Sequence, residues 1–260
     1  MKRTFIACAL GSLLLGGAAA AEPGADEPAT VHVKALRNPE VRKYKTILVG
    51  LDTFEKHHAL APRVPELRFM IHRRRGAGIP DNPVVRIEGG QDFVLPLALD
   101  ATQRFTVPRS EAALDAGGEL VLNQKRWDYQ ILPEVRTPGL PDNVRRLGDL
   151  RLECKVMIAL AKEDIPLFWV LTINGVFMTR DWCSFFSERE RGASFPFKAG
   201  APLAEAILHE GQRSKALETE KDEFRIGLAD AEWSDEALVE LRFDDSVATG
   251  TAGGRPRTAP

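Results

Sequence analysis

The chain has 260 residues, 35 Lys and Arg against 37 Asp and Glu, a formal net charge of −2 and 3 cysteines. That balance lacks the basic footprint of a nucleic-acid binder, and the length suits one large or two small domains. After the leader, no stretch is apolar for long enough to make a membrane-spanning helix, so neither a nucleic-acid partner nor a transmembrane segment is expected.

The leader comes first. Lys2 and Arg3 precede the apolar run FIACALGSLLLGG, and AAAA precedes Glu22. This is the pattern of a secretory signal peptide over residues 1–21, cut after Ala21. The hydrophobic stretch ahead of Cys8 is too short for that cysteine to be a lipid-anchored one. A periplasmic or extracellular location follows. Residues 22–37 read as a linker, and an amphipathic helix is expected over 38–60. Asn38 can cap it, Pro39 suits the first helical position and Glu40 suits the positive dipole end. Val41, Tyr44, Ile47, Leu48, Leu51, Phe54 and His58 recur at helical spacing.

From Pro65 the apolar period becomes two. Leu67, Phe69 and Ile71 share a face, and VVRIEG, DFVLPLAL, RFTVP, GELVLN and DYQILPEV continue the series. Pro138-Gly139 suits a type II turn. In LRLECKVMIALA, Leu150, Leu152, Cys154, Val156, Ile158 and Leu160 alternate with polar residues, which predicts another strand. PLFWVLTINGVFMTRDWC predicts a hairpin about Asn174-Gly175, because Asn-Gly supplies the positive φ angles such a turn needs. It would face Trp169 with Arg180. Residues 187–202 read as a loop, LAEAILHEG as a short helix, FRIGLA and ALVELRF as strands, and 247–260 as a disordered tail.

The expected fold is therefore mainly β: two antiparallel sandwich units with one N-terminal amphipathic helix. The first unit covers 38–163 and the second 164–246. A shared cadence hints at a repeat, since Gly90-Gln91, Phe105 and Leu120-Val121 are echoed by Gly211-Gln212, Phe224 and Leu238-Val239. LPLALDATQRFTVP followed by a strand resembles the carboxypeptidase-regulatory-like (transthyretin-like) sandwiches, with Gln103-Arg104 where those carry Gly. RTPGLPDNVRRLGDLRLEC and WSDEALVELRF resemble uncharacterised exported bacterial proteins. The resemblance implies a fold and carries no catalytic residue.

The motifs of serine hydrolases, zinc peptidases, P-loop enzymes and Cys-x-x-Cys oxidoreductases are missing, so the catalytic residues are unknown and no cofactor is expected. Glu55 and His58 lie three apart on one helix face, the spacing of a carboxylate-bundle metal site. The second Glu-x-x-His such a site requires is lacking, so His58 is read as a packed core histidine and no metal is expected. His72-Arg73-Arg74-Arg75 is a basic strand end that either stays solvated or meets an anionic group. Arg145-Arg146 with Arg151 is read the same way.

With Cys8 removed, Cys154 and Cys183 remain; an exported chain predicts a disulfide between them, the alternative being two separate buried thiols. The chain has 13 Phe, 4 Trp and 2 Tyr, and eight of these crowd into 168–197. That concentration reads either as the core of the second sheet with a domain contact, or as an exposed platform that stacks on sugar rings or receives a partner. In the second case Trp169, Trp182, Phe185 and Phe186, with Arg180 beside them, are the expected binding surface for an envelope glycan or a protein partner. The expected function is a non-catalytic binding or accessory protein of the cell envelope. The alternatives are a hydrolase of envelope glycans or peptides and a structural module of a secreted assembly.

Overall fold

The computed structural model describes residues 38–74, 80 and 82–244. The expected signal peptide, the 22–37 linker, Arg75 and the 247–260 tail lie outside them. The described residues belong to one compact unit, built mainly of strands in four antiparallel sheets with few helices.

The helix expected from residue 38 starts later. Pro39–Lys43 form strand β1, and Asn38, the expected cap, sits ahead of it at a φ of 58°. Pairing of Val41 with Val121 on a neighbouring strand outweighs the capping signal. Helix α1 then occupies Tyr44–Lys56 and buries Tyr44, Ile47 and Phe54. The period-two segments form β2 (Arg68–Arg73), β3 (Val85–Glu88), β4 (Val94–Leu97), β5 (Arg104–Phe105), β6 (Glu119–Lys125) and β7 (Tyr129–Glu134), with the short helix α2 (Glu111–Asp115) before β6. Leu67, Phe69 and Ile71 are buried as the alternation requires. The sheets are β1-β6-β3-β4 and β5-β2-β7. Gly139 takes the positive φ, 82°, that a type II turn demands of its third residue.

The second half departs further from expectation. After β8 (Val144–Arg146), the segment expected as a strand is the 18-residue helix α3, Leu147–Asp164. The expected Asn174-Gly175 hairpin is helix α4, Leu167–Phe177. The expected 187–202 loop contains helix α5 (Glu188–Arg191) and strand β9 (Phe195–Lys198). The expected short helix at 203–211 is strand β10, Leu203–Glu210. Strands β11 (Arg213–Ala216), β12 (Thr219–Glu220), β13 (Glu223–Ile226) and β14 (Leu238–Phe243) complete the sheets β11-β10-β14-β8 and β12-β13-β9.

The two halves share most of a strand plan, although β7, beside β2, and β12, beside β13, have no counterpart in the other half. Strands β1, β2, β3, β4, β5 and β6 correspond in order to β8, β9, β10, β11, β13 and β14. The four-stranded orders β4-β3-β6-β1 and β11-β10-β14-β8 are therefore the same. Each first strand runs directly into a helix, and each junction makes the same bond: Tyr44 N–H donates to Gly118 O and Leu147 N–H to Ala237 O, both at 2.8 Å. Phe69 pairs with Phe105 across β2 and β5, and Phe197 with Phe224 across β9 and β13. The rings stack at 5.8 and 5.7 Å. The cadence of Gly90-Gln91 and Gly211-Gln212 falls on equivalent hairpins, β3-β4 and β10-β11.

Helix α3 explains how an alternating pattern became helical. At 100° per residue, even positions divide into two arcs. Leu150, Cys154 and Ile158 fall on one, and Leu152, Val156 and Leu160 on the other. The first arc enters the core beneath β9, β10 and β14, and the second the core beneath α1 and β2 to β7. A helix wedged between two cores thus mimics a half-buried strand. Gly50 lets α1 approach it closely: a Cβ there would lie 2.9 Å from Leu160 Cδ2.

Candidate functional site

The repeat exposes an insertion. In the first half the helix joins its next strand through residues 57–67, whereas the second half takes residues 165–194 to make the same connection. The difference holds α4, a 3-10 turn at Trp182–Phe185, α5 and most of the aromatic run.

Local chemistry shapes α4. Pro166 cannot continue α3 and forces Ile165 into extended backbone at φ −114°, ψ 149°. The chain then re-enters a helix and stops at Met178, which adopts φ 52°. Met178 N–H donates to Gly175 O at 3.3 Å and Thr179 N–H to Asn174 O at 3.2 Å. Neither Asn174 nor Gly175 has the positive φ of a hairpin turn.

No residue of α4 is buried. Leu167, Phe168, Trp169, Leu171, Val176 and Met178 keep between 55% and 88% of their surface. Isolated exposed apolar residues need no explanation, but six on one short arm form a patch that does. Two side-chain oxygens of the arm are bonded within the protein. Thr172 donates to Phe168 O at 2.9 Å, and Asn174 Oδ1 accepts from Trp182 Nε1 at 2.8 Å.

The arm is held at its C-terminal end. Phe177 stacks on Phe185 at 4.0 Å and meets Trp182 and Phe186 edge-on. Phe186, Phe195, Phe197 and Phe224 carry this chain of rings into the core. Lys162 donates to Arg180 O at 2.6 Å and lies over the Trp182 ring, while Lys155 pairs with Asp181 at 2.7 Å. The Cys154–Cys183 disulfide, with Cα atoms 6.1 Å apart, joins α3 to the turn beneath the arm. The five sequence candidates therefore separate by role. Trp182 is buried, Phe185 and Phe186 are half-buried packing residues, and Trp169 and Arg180 are exposed. The pairing of Trp169 with Arg180 expected from a hairpin is absent. Leu167, Phe168, Leu171, Val176 and Met178 were missed, because a strand reading would have covered them on both faces. Their signal was the unbroken absence of charge from Ile165 to Thr179.

The remaining candidates serve the frame. His58 Nε2 donates to Val64 O at 2.7 Å and the ring packs on Phe54. Glu55 instead pairs with Arg109 at 2.9 Å. Among the described residues no group of three or more His, Cys, Asp or Glu is arranged to hold a metal. His72 is buried 3.5 Å from Asp222. It opens, with exposed Arg74 and Trp127, on a cleft of about 900 Å³ where Lys198 and Arg225 are already paired with acids. Arg145 and Arg146 are buried rather than solvated. Arg145 pairs with Glu153 at 2.8 Å, and Arg146 bonds Leu60 O at 2.6 Å and pairs with Asp149 and Glu236. Arg151 bonds Leu228 O and Asp235.

A second cleft of about 330 Å³ is lined by Arg68, Arg104, Glu134 and Arg136. Burial raises the Glu134 carboxyl, but hydrogen bonds from Arg104 and the charges of Arg145 and Arg104 outweigh burial and leave it below its ordinary value. It is ionised at neutral pH and has no proton to donate as a general acid. Because its folded pKa lies below the unfolded one, its contribution is present above the unfolded value of about 4.3 and is lost as pH falls toward the folded value. The Glu134→Gln variant should therefore lose stability less steeply than the parent below pH ~4. Parallel acid limbs in thermal melts would contradict this.

No family model, curated protein or solved structure matches the chain.

Proposed function

We propose that the chain is an exported, non-catalytic binding or accessory protein of the cell envelope. On this reading residues 1–21 are a leader removed after Ala21, and two transthyretin-like sandwich units form the scaffold. The contact surface is the α4 arm with Trp169 and Arg180. One observation carries the reading: six large apolar side chains stand exposed on an insertion that the repeated frame does without. The first half closes the same connection with residues 57–67, so core formation does not account for the arm. Trp182, Phe185 and Phe186 support it from below.

Fractionation of cells expressing the chain with its own leader tests this. The parent should sediment with the envelope after osmotic shock, and a Phe168→Ser/Leu171→Ser/Val176→Ser variant should appear in the soluble fraction. These residues are exposed, so the variant keeps its fold and melting temperature. A parent that is wholly soluble, or a variant that sediments equally, would defeat the proposal.

A further inference from the structure

We propose that the surface met by α4 is a lipid bilayer, and that the arm inserts into a single leaflet. This rests on the reading of α4 as the contact surface and names its partner.

Three observations favour lipid over the other occupants. The first is the width of the apolar surface. Placed at 100° per residue, Leu167, Phe168, Trp169, Leu171 and Val176 spread over an arc of about 200°. Val170, Ile173, Asn174 and Phe177 occupy the remaining, half-covered side. A groove on a partner protein receives a stripe of about 100°, whereas hydrocarbon surrounds what enters it.

A second copy is a poorer fit on area. The 11-residue helix is about 16 Å long and about 10 Å across. Two such helices packed along a third of their circumference would bury only a few hundred Å², roughly, against the ~1,200–2,000 Å² of a stable interface.

The second observation is that the arm suits a medium without water. From Ile165 to Thr179 it carries no Asp, Glu, Lys, Arg or His. Past its first turn, which no side chain caps, the helix bonds its own backbone, and the hydroxyl of Thr172 is returned to Phe168 O. The side-chain oxygen of Asn174 is taken up by Trp182.

The third is electrostatic. With charged residues at both ends, the helix lies in the plane of the interface and buries its apolar arc in one leaflet. No helix among the described residues is long and apolar enough to cross a membrane. Charges begin abruptly at both ends of the arm. Lys155, Lys162 and Arg180 balance Glu163, Asp164 and Asp181, so the rim has no net preference for anionic headgroups. Insertion should therefore be insensitive to salt, unlike that of basic amphipathic helices.

The test uses the chain from Glu22 onward, which removes the apolar leader and keeps the compact unit intact. It is floated with vesicles of phosphatidylcholine alone and of phosphatidylcholine with phosphatidylglycerol. The parent should float with both, with apparent affinities within about threefold of each other from low to high salt. The Phe168→Ser/Leu171→Ser/Val176→Ser variant should bind at least tenfold more weakly. Lipids brominated along the acyl chain should quench the emission lost in Trp169→Phe. Flotation only with the anionic vesicles, or arm-dependent self-association with no flotation, would overturn the lipid assignment. If the parent fails to float yet still sediments with the envelope through its arm, the partner is a protein or glycan. In that case the broader reading stands while this one falls.

Discussion

The Arg145→Met variant is expected to unfold at a free energy about 3–5 kcal/mol below that of the parent, the cost of leaving a buried charge without its partner. Arg145 and Glu153 are both buried, at 5% and 6% exposure. Arg145 Nη2 bonds Glu153 Oε2 at 2.8 Å and Val135 O at 3.1 Å, and Val135 N–H donates to the same Glu153 oxygen at 2.8 Å. Burial pushes the Glu153 carboxyl up, while Arg145 and the Val135 N–H pull it down. Removing the guanidinium leaves only the amide. The double variant Arg145→Met/Glu153→Leu separates pairing from packing. It should recover most of the loss, because a buried pair exchanged for apolar residues of similar volume is often neutral. Urea unfolding followed by circular dichroism measures both. A single variant within 1 kcal/mol of the parent, on the scale of an exposed pair, would show that water reaches Glu153.

The Cys154→Ala/Cys183→Ala variant should lose about 3–4 kcal/mol. The bond spans a sequence separation of 29, and the chain-entropy model assigns a closed loop of that length roughly this value. Both residues are buried, at 0% and 5% exposure, so serine would add a desolvation cost and alanine is the cleaner replacement. Guanidinium unfolding of the oxidised and reduced parent should differ by a similar amount. Equal midpoints would mean that the sulfurs are not bonded in solution. The loop closed by the bond contains the whole of α4, so the reduced protein should also show higher hydrogen exchange across 167–185.

The first half was the more legible. Strands β2 to β7 lie where period-two patterning and turn residues put them; in β3, Val85 and Ile87 are buried while Arg86 and Glu88 are half-buried. The disulfide partners were legible from the expected export and an even cysteine count, although Cys154 lies on a helix. Helix α3 was not legible, since its two apolar arcs alternate along the chain as the faces of a strand do. Strand β10 looked helical because Ala204, Glu205 and Ala206 are helix formers, and pairing of Ala206 with Leu241 and of Leu208 with Val239 overrides that propensity. For α4, the Asn174-Gly175 signal is strong only when strands flank it, and Pro166 and Met178 bound a helix instead. Of the binding candidates, the aromatic concentration located the region but not the side chains that face outward. Exposure depends on which residues the second core recruits, and the rings from Phe177 to Phe224 make that choice in three dimensions.

A repeat carried on a single chain has a directional consequence. Two identical subunits assembled from separate chains would each bear the insertion, giving two arms. Here the halves are free to differ, and only the second carries α4. The molecule thus has a front and a back. On the proposed reading, the surface that receives the arm always meets the same side of the protein. The clefts at Glu134 and at Trp127 then keep fixed bearings relative to that surface, as instruments do on a mast with a single foot.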